Sequence, residues 1–266
     1  MKIHWKGVCR TVRQRAAWLG ILSCVVFVAS LVEPGQAALV VGGNVASILF
    51  GRDEDNLANP LIQPAGVAAN QSLNNTDVLV GGSANDVIVG LLGSDVISSG
   101  AGNDITIGGP EQATTPNSDI IFAGEGNDIN VWAPGDGSDL FIGGSGLDAQ
   151  VFGVIDKDAS NRPLSGGSAP GFAAIPSVNV TGQGGFCTIE RADASSGYEF
   201  LARFFSRATG ALLVTVRLTE VEQMFCTSQA GGQITYADLT QPTPQLYVIS
   251  LSDALALNNT VGRMIR

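Results

Sequence analysis

Carboxylates recur along the middle of this 266-residue chain at a fixed interval. Asp77, Asp86, Asp95 and Asp104 stand nine residues apart, and the same nine separate Asp119 from Asp128 and Asp139 from Asp148. Two longer steps, of 15 and 11 residues, contain residues 111 to 117 and 134 to 137, whose loop-like composition reads as insertions into a preserved period. Side chains of this type work either as an acid paired with a base or as oxygen ligands for a hard cation. Residues 76 to 153 hold eleven acids and no Lys, Arg or His, so nothing in that stretch neutralises the row.

The residues between the aspartates say what positions them. Glycines precede most of them, as in Ser99-Gly100-Ala101-Gly102-Asn103-Asp104 and Gly143-Gly144-Ser145-Gly146-Leu147-Asp148. Apolar triplets such as Val87-Ile88-Val89 and Leu140-Phe141-Ile142 follow. Each unit is one glycine-permitted turn and about 10 Å of strand. Such a unit buries nothing alone, so units must stack. Two units per coil give an 18-residue spiral with a parallel sheet on each side. Asp77, Asp95, Asp119 and Asp139 then line one edge, and Asp86, Asp104, Asp128 and Asp148 the other. Stacked strands lie about 4.8 Å apart, where neighbouring carboxylates repel by roughly 3 to 4 kcal/mol at an effective dielectric near 20. A divalent cation between coils offsets that repulsion, and carboxylate and carbonyl ligands in a flexible shell favour calcium over zinc or magnesium.

These residues resemble the glycine-rich nonapeptide repeats (G-G-x-G-x-D-x-U-x) of RTX, or haemolysin-type, calcium-binding proteins. The resemblance covers residues 76 to 153 and implies a parallel β-roll with several Ca2+ ions held in its turns. Carried over, it implies ligands from the eight aspartates and from Gly81, Gly100, Gly102, Gly108, Gly124, Gly126, Gly143, Gly144 and Gly146. The implied sites join Asp77 with Asp95, Asp86 with Asp104, Asp119 with Asp139, and Asp128 with Asp148. Asp95 with Asp119 and Asp104 with Asp128 are the pairs that span the longer insertion. The sequence departs from the pattern where Ala84 replaces a turn glycine and where Leu91-Leu92 interrupts the turn before Asp95. It also departs in carrying an N-terminal leader, whereas RTX exoproteins usually leave through an exporter that reads a C-terminal signal.

In that pattern the second triplet residue points into the roll, and here it reads Leu79, Ile88, Ile97, Thr106, Ile121, Asn130, Phe141 and Gln150, polar in three units. The flanking positions are apolar in every unit except at Ser98. A continuous apolar outer face calls for cover, from the C-terminal region or from a second copy.

Lys2, Lys6, Arg10, Arg13 and Arg15 precede an apolar run from Ala16 to Val32 and small residues before Ala37, the order of a secretory signal peptide over residues 1 to 37. A retained membrane anchor and a lipoprotein site at Cys24 are the alternatives. Cleavage leaves 9 basic against 23 acidic residues and removes His4, the only histidine. Histidine-dependent hydrolysis and histidine-ligated zinc are thereby excluded, and strong acidity argues against nucleic acid and anionic lipid as partners. Cys187 and Cys226 remain and read as one disulfide in an oxidising compartment.

The fold expected is all-β: a parallel β-roll (76 to 153) followed by a smaller β-rich C-terminal domain (186 to 266), with an N-terminal cap (38 to 75) and a linker or loop (154 to 185). Leu39-Val40-Val41 and Ile48-Leu49-Phe50 are candidate strands in the cap. Tyr198 to Phe205 and Leu212 to Leu218 read as a hairpin, and Leu246 to Leu257 as a strand or a helix. Asp156-Lys157-Asp158 looks like the start of an EF-hand loop, but Asn161 and Gly167 stand where the turn glycine and the bidentate glutamate belong, which favours a plain turn. Arg191, Arg203, Arg207 and Arg217 are expected on solvated faces or paired with Glu199 or Glu220, the alternative being that they receive an acidic polymer or the acidic roll itself.

Two functions follow. The first is a secreted or periplasmic calcium-binding protein whose roll folds on Ca2+ and serves a structural or interaction role. Its partners would be a second copy, a protein or a polysaccharide, met through the apolar roll face or the C-terminal domain. The second is an enzyme acting on extracellular polysaccharide, whose mark would be convergence of Glu190, Asp193, Glu199, Glu220 or Glu222 in a cleft.

Overall fold

The computed structural model of the protein describes residues 39–50, 77–91, 93–109, 118–158 and 163–266. The expected leader, most of the 38 to 75 segment and the 111 to 117 insertion lie outside the described residues. Each apolar triplet becomes a short strand: β1 (Leu39–Val41), β2 (Ile48–Phe50), β3 (Val78–Val80), β4 (Val87–Val89), β5 (Val96–Ala101), β6 (Ile105–Ile107), β7 (Ile120–Glu125), β8 (Ile129–Trp132), β9 (Leu140–Ser145) and β10 (Ala149–Phe152). Odd strands pair in parallel in the order β1-β3-β5-β7-β9, and even strands do the same in β2-β4-β6-β8-β10. The register is unbroken across both insertions: Leu79, Ile97, Ile121 and Phe141 stand opposite one another, as do Ile88, Thr106, Asn130 and Gln150. This is the parallel β-roll that the nine-residue period requires.

The roll begins one coil earlier than the aspartates indicate. Strands β1 and β2, read from sequence as part of a cap, pair in parallel with β3 and β4 and form the first coil.

It also continues past Gly153, where the period stops. After β11 (Val154–Ile155), β12 (Ser165–Gly167), β13 (Ile175–Pro176) and β14 (Val178–Asn179) come β15 (Gly185–Arg191), β16 (Phe200–Ser206), β17 (Leu212–Thr219), β18 (Gln223–Thr227), β19 (Ile234–Asp238), β20 (Tyr247–Ile249), α1 (Leu251–Leu257) and α2 (Asn259–Met264). The expected hairpin is β16 with β17, and the 246 to 257 segment holds both a strand and a helix. β17 pairs in parallel with β9, and β18 with β10. β16 and β15 then extend the first sheet antiparallel, and β19 and β20 the second, giving two eight-stranded sheets shared by the roll and the C-terminal region. The Cys187–Cys226 disulfide joins β15 to β18, and so ties one sheet to the other.

The three polar inward positions form a ladder inside the roll. Thr106 Oγ1 donates to Asn130 Oδ1 at 3.0 Å, Asn130 Nδ2 to Gln150 Oε1 at 2.9 Å, and Gln150 Nε2 to the Val151 carbonyl at 3.2 Å. Each buried amide thereby finds a partner, which removes most of the cost of burying it. Further along, Trp132, Phe152 and Phe204 pack together between the sheets, with Trp132 Nε1 donating to the Gly137 carbonyl.

The two outer faces differ. On the β2-to-β10 side, Val87, Val89, Ile105, Ile107, Ile129, Val131 and Val151 are buried beneath Ile175, Val178, Val180, Ala254, Val261 and Met264. The C-terminal region is the cover expected there. α1 is fixed in place by a capping box in which Ser250 Oγ accepts from the Asp253 N–H and the Asp253 carboxylate accepts from the Ser250 N–H. On the β1-to-β9 side the face stays open, with Ile120 40% and Phe122 42% exposed.

The arginines divide among the alternatives. None of the four makes an ion pair with Glu199 or Glu220 among the described residues: Arg203 pairs with Glu190, and Arg191 lies over the Phe200 ring and reaches the Pro242 carbonyl. Arg207 donates to the carbonyls of Gln183, Gly185, Ser228 and Gln229, and Arg217 to that of Ser138. Asp156, at the start of the EF-hand-like stretch, is bound by Arg266.

Two measurements test this architecture. Gly126 has φ +137°, and a Cβ there collides with the Gly102 carbonyl of the coil below, whereas Gly210, φ +70°, has open space. Gly126→Ala lowers the melting temperature by several degrees more than Gly210→Ala, since the first adds a clash to backbone strain of about 1 to 2 kcal/mol; equal shifts would contradict the stacking. Cys187→Ser with Cys226→Ser opens a loop of 39 residues and lowers stability by about 4 kcal/mol in denaturant titration.

Candidate metal centre

Strand register places the aspartates in two columns, and one hydrogen bond repeats along each. In the first, the Asp77 N–H donates to Asp95 Oδ1 at 2.8 Å, Asp95 to Asp119 at 2.7 Å, and Asp119 to Asp139 at 3.0 Å. In the second, Asp86 donates to Asp104 at 2.7 Å, Asp104 to Asp128 at 2.7 Å, and Asp128 to Asp148 at 2.8 Å. The pairs that flank the long insertion are joined like the rest. Return bonds run from the residue after each aspartate from Asp95 to Asp148 to the aspartate carbonyl one coil back, as from the Val96 N–H to Asp77 and the Ile129 N–H to Asp104. All eight aspartates are buried.

The column ends carry residues that the aspartate count misses. Ser47 occupies the aspartate position of the first coil, and its N–H and Oγ both donate to Asp86 Oδ1, at 2.8 and 2.7 Å. Glu222 precedes β18 as an aspartate precedes each repeat strand, and its Oε2 accepts the Asp148 N–H at 2.8 Å. The residue just before each aspartate forms a second ladder, which the sequence reading also missed. The N–H of Asn103 donates to the Asn85 side chain, that of Asn127 to Asn103, and that of Leu147 to Asn127. On the other edge, Ser94, Ser118 and Ser138 accept in the same way.

The glycines fall into two groups. Gly100, Gly124 and Gly144, in the last residues of β5, β7 and β9, and Gly102, Gly126 and Gly146, just after them, take positive φ, and a Cβ on any of them meets a carbonyl of the coil before. Gly81 and Gly108 directly follow β3 and β6, and Gly143 lies within β9: a Cβ on Gly81 meets the Ser99 carbonyl, and one on Gly108 or Gly143 meets the carboxylate of Asp119 or Asp148. Gly90, absent from the sequence-derived set, faces the Asp95 carboxylate in the same way. Leu91 adopts φ +75° in place of a glycine, with its side chain buried in the core, so the interrupted turn keeps its left-handed geometry.

In six of the eight aspartates this arrangement uses one carboxylate oxygen and leaves the other, whereas Asp86 Oδ2 accepts from the Gly82 N–H at 3.1 Å. Among the described residues, Oδ2 of Asp95, Asp104, Asp119, Asp128, Asp139 and Asp148 is buried without a hydrogen-bond partner. Buried polar atoms are almost always satisfied, so six orphans in two rows require a partner of positive charge. Their electrostatics agree. Burial pushes the carboxyls of Asp104, Asp128 and Asp148 from 3.8 to about 7, against the bond from the backbone, and neighbouring carboxylates add to the rise. Burial and then the Asp119 charge raise Asp139, while Arg217 draws it down. The first column also gains Asp136, from the 134 to 137 insertion: Asp119, Asp136 and Asp139 place carboxylate oxygens within 4.8 Å of one another. Asp136 was read only as loop; the Gly135-Asp136-Gly137 run was the available signal. Lys157 lies near enough to feel its charge. Thus two cations from beyond Gly153, Arg217 and Lys157, approach the C-terminal end of this column, and Arg217 meets the acidic roll as the alternative reading of the arginines allowed.

The raised carboxyl values give stability that is complete below about pH 4 and is lost as pH rises through about 7, because the folded state holds those protons more tightly than the unfolded chain. In chelator the melting temperature should fall between pH 5 and pH 8, each such group costing up to about 1.4 kcal/mol per pH unit. A flat or rising profile in chelator would show that the carboxylates are already satisfied.

The model of the RTX calcium-binding nonapeptide repeat matches residues 73–109 and 115–129, in four copies, about a fifth of the chain. No curated protein matches it. Paired strands, glycine turns and the carboxylate columns coincide over the matched residues, and the chain carries RTX calcium-binding nonapeptide repeats in a parallel β-roll.

Proposed function

We propose that this is a secreted calcium-binding protein whose acidic roll orders on Ca2+ and whose role outside the cytoplasm is structural or interactive. The observation that carries the reading is the row of buried Oδ2 atoms without partners on Asp95, Asp104, Asp119, Asp128, Asp139 and Asp148. Oxygens already fixed by main-chain bonds to their Oδ1 partners are oriented for a hard cation, and calcium tolerates the irregular shells that two unequal columns supply. Each ion would lie between successive coils, with an aspartate from each and turn carbonyls completing its shell. Bound there, calcium supplies positive charge, and the chain's own residues hold the register. Export is supported by the leader composition of residues 1 to 37 and by the disulfide, which persists in an oxidising compartment.

The polysaccharide-enzyme alternative draws on one observation, the approach of Glu199, Glu220 and Glu222 to one another. The shallow pocket beside them, lined by Arg191, Tyr198, Glu199 and Thr219, offers one carboxylate where glycoside hydrolysis needs two.

Circular dichroism and calorimetry decide the main reading. The purified protein in chelator should lose strand signal and regain it in millimolar calcium, because a ligand that binds only the folded form stabilises that form. Asp104→Ala, which removes both a ligand and the acceptor of the Asp86 N–H, should raise the calcium midpoint several-fold. Identical spectra in chelator and in calcium would defeat the proposal.

A further inference from the structure

The two carboxylate columns end differently. Past the last repeat aspartate of the first column the chain brings Arg217, whose guanidinium lowers Asp139 and bonds to the Ser138 carbonyl. Past the last aspartate of the second it brings more acid. Glu222 accepts the Asp148 N–H through Oε2, and the Glu222 and Gln223 N–H groups donate back to the Asp148 carbonyl at 3.1 and 2.9 Å. The Glu220 charge also acts on Asp148, and the Glu220 N–H donates to Glu199 Oε2 at 3.1 Å, which draws in a fourth carboxylate. Among the described residues no ion pair joins any of these four to Lys or Arg.

The backbone here copies a repeat turn without the repeat sequence. In the repeats, the space over Gly90 is bounded by the Gly108 carbonyl of the next coil and the Asp95 carboxylate. At the column's end, the space over Gly143 is bounded by the Glu220 carbonyl and the Asp148 carboxylate. Glu220 takes φ +53°, a conformation usually left to glycine. Asp148 is fully buried, and its Oδ2 has no hydrogen-bond partner. That oxygen faces the same space as the Glu220 carbonyl.

We propose a terminal calcium site, outside the nonapeptide repeats, formed by Asp148, the Glu220 carbonyl and the Glu222 carboxylate, with Glu199 supplying charge from the exposed side. It rests on the calcium reading of the roll and extends it to residues that no repeat pattern contains. The site closes the second column with an ion where the first is closed by a guanidinium. It also couples the last coil to the β16–β17 hairpin, since Glu199 precedes β16 and Glu220 follows β17.

The test counts ions on the full protein by calcium titration calorimetry, with wild type, Glu222→Gln, Glu199→Gln and Asp104→Asn compared under one buffer. Glu222→Gln keeps an oxygen to accept the Asp148 N–H but loses the charge, and should bind one equivalent fewer than wild type. Glu199→Gln, on an exposed residue, should keep the count and weaken one site about tenfold. Asp104→Asn should lose a repeat site. If Asp104→Asn loses its site while both glutamate variants match wild type in count and affinity, the terminal site is refuted and the calcium-binding roll stands. If wild type takes up no calcium, the broader reading falls first.

Discussion

The bond from a backbone N–H to the carboxylate one coil further on is the interaction on which the structure depends. It fixes the height of every coil against the next, and so sets which triplet faces which across both sheets. Because it spends one oxygen and buries the other in Asp95, Asp104, Asp119, Asp128, Asp139 and Asp148, a mechanical joint is also an electrostatic debt. The glycines follow from the same joint: coils this close leave no room for a Cβ where a turn passes beneath a carbonyl. Insertions are tolerated for a related reason. The joints from Asp95 to Asp119 and from Asp104 to Asp128 keep their length although 24 residues separate the partners, and lengthening one connection costs only modest entropy.

The sheets' faces are settled by different means. The second triplet residues are apolar at Leu79, Ile97, Ile121 and Phe141 on the first sheet, whereas the other sheet carries Thr106, Asn130 and Gln150, whose side chains satisfy one another. Outside, the second sheet is covered by α1, α2 and the strands between β10 and β15, so the C-terminal region is part of the roll's own core. It also supplies the last coil, through β17 and β18, and the disulfide between the sheets. A roll cut at Gly153 would expose Val131 and Val151 as well as the last carboxylates.

The repeat was legible in the sequence because a nine-residue interval and the absence of cations from 76 to 153 leave few other folds. What escaped is what a search for aspartate passes over. The first coil keeps the spacing, with Leu39 and Ile48 nine residues apart, but puts Ser47 where an aspartate was sought. The last coil shortens its turn to Glu220-Val221-Glu222, so no period betrays it. Asp136 was hidden in an insertion, and the approach of Arg217 to Asp139 depends on a parallel pairing between strands more than seventy residues apart. The asparagine and serine ladders did recur at the position before each aspartate, and were overlooked because a neutral side chain raises no question of charge.

The direction of the ladder explains its two unlike ends. Each of these aspartate N–H groups donates toward the C-terminus, so each accepting carboxylate serves the coil before its own. The first coil therefore needs only donors, and a serine, which adds its hydroxyl to its N–H on Asp86, fills the position better than an aspartate would. An aspartate there would have no earlier coil to serve among the described residues and would add one more charge to the column. At the other end the Asp148 N–H points past the repeats and must find an acceptor. A longer acid, Glu222, reaches it from a strand that belongs to no repeat. Donor at the start and acceptor at the finish are thus consequences of one bond's polarity, and the extra charge that Glu222 brings is the cost of completing it.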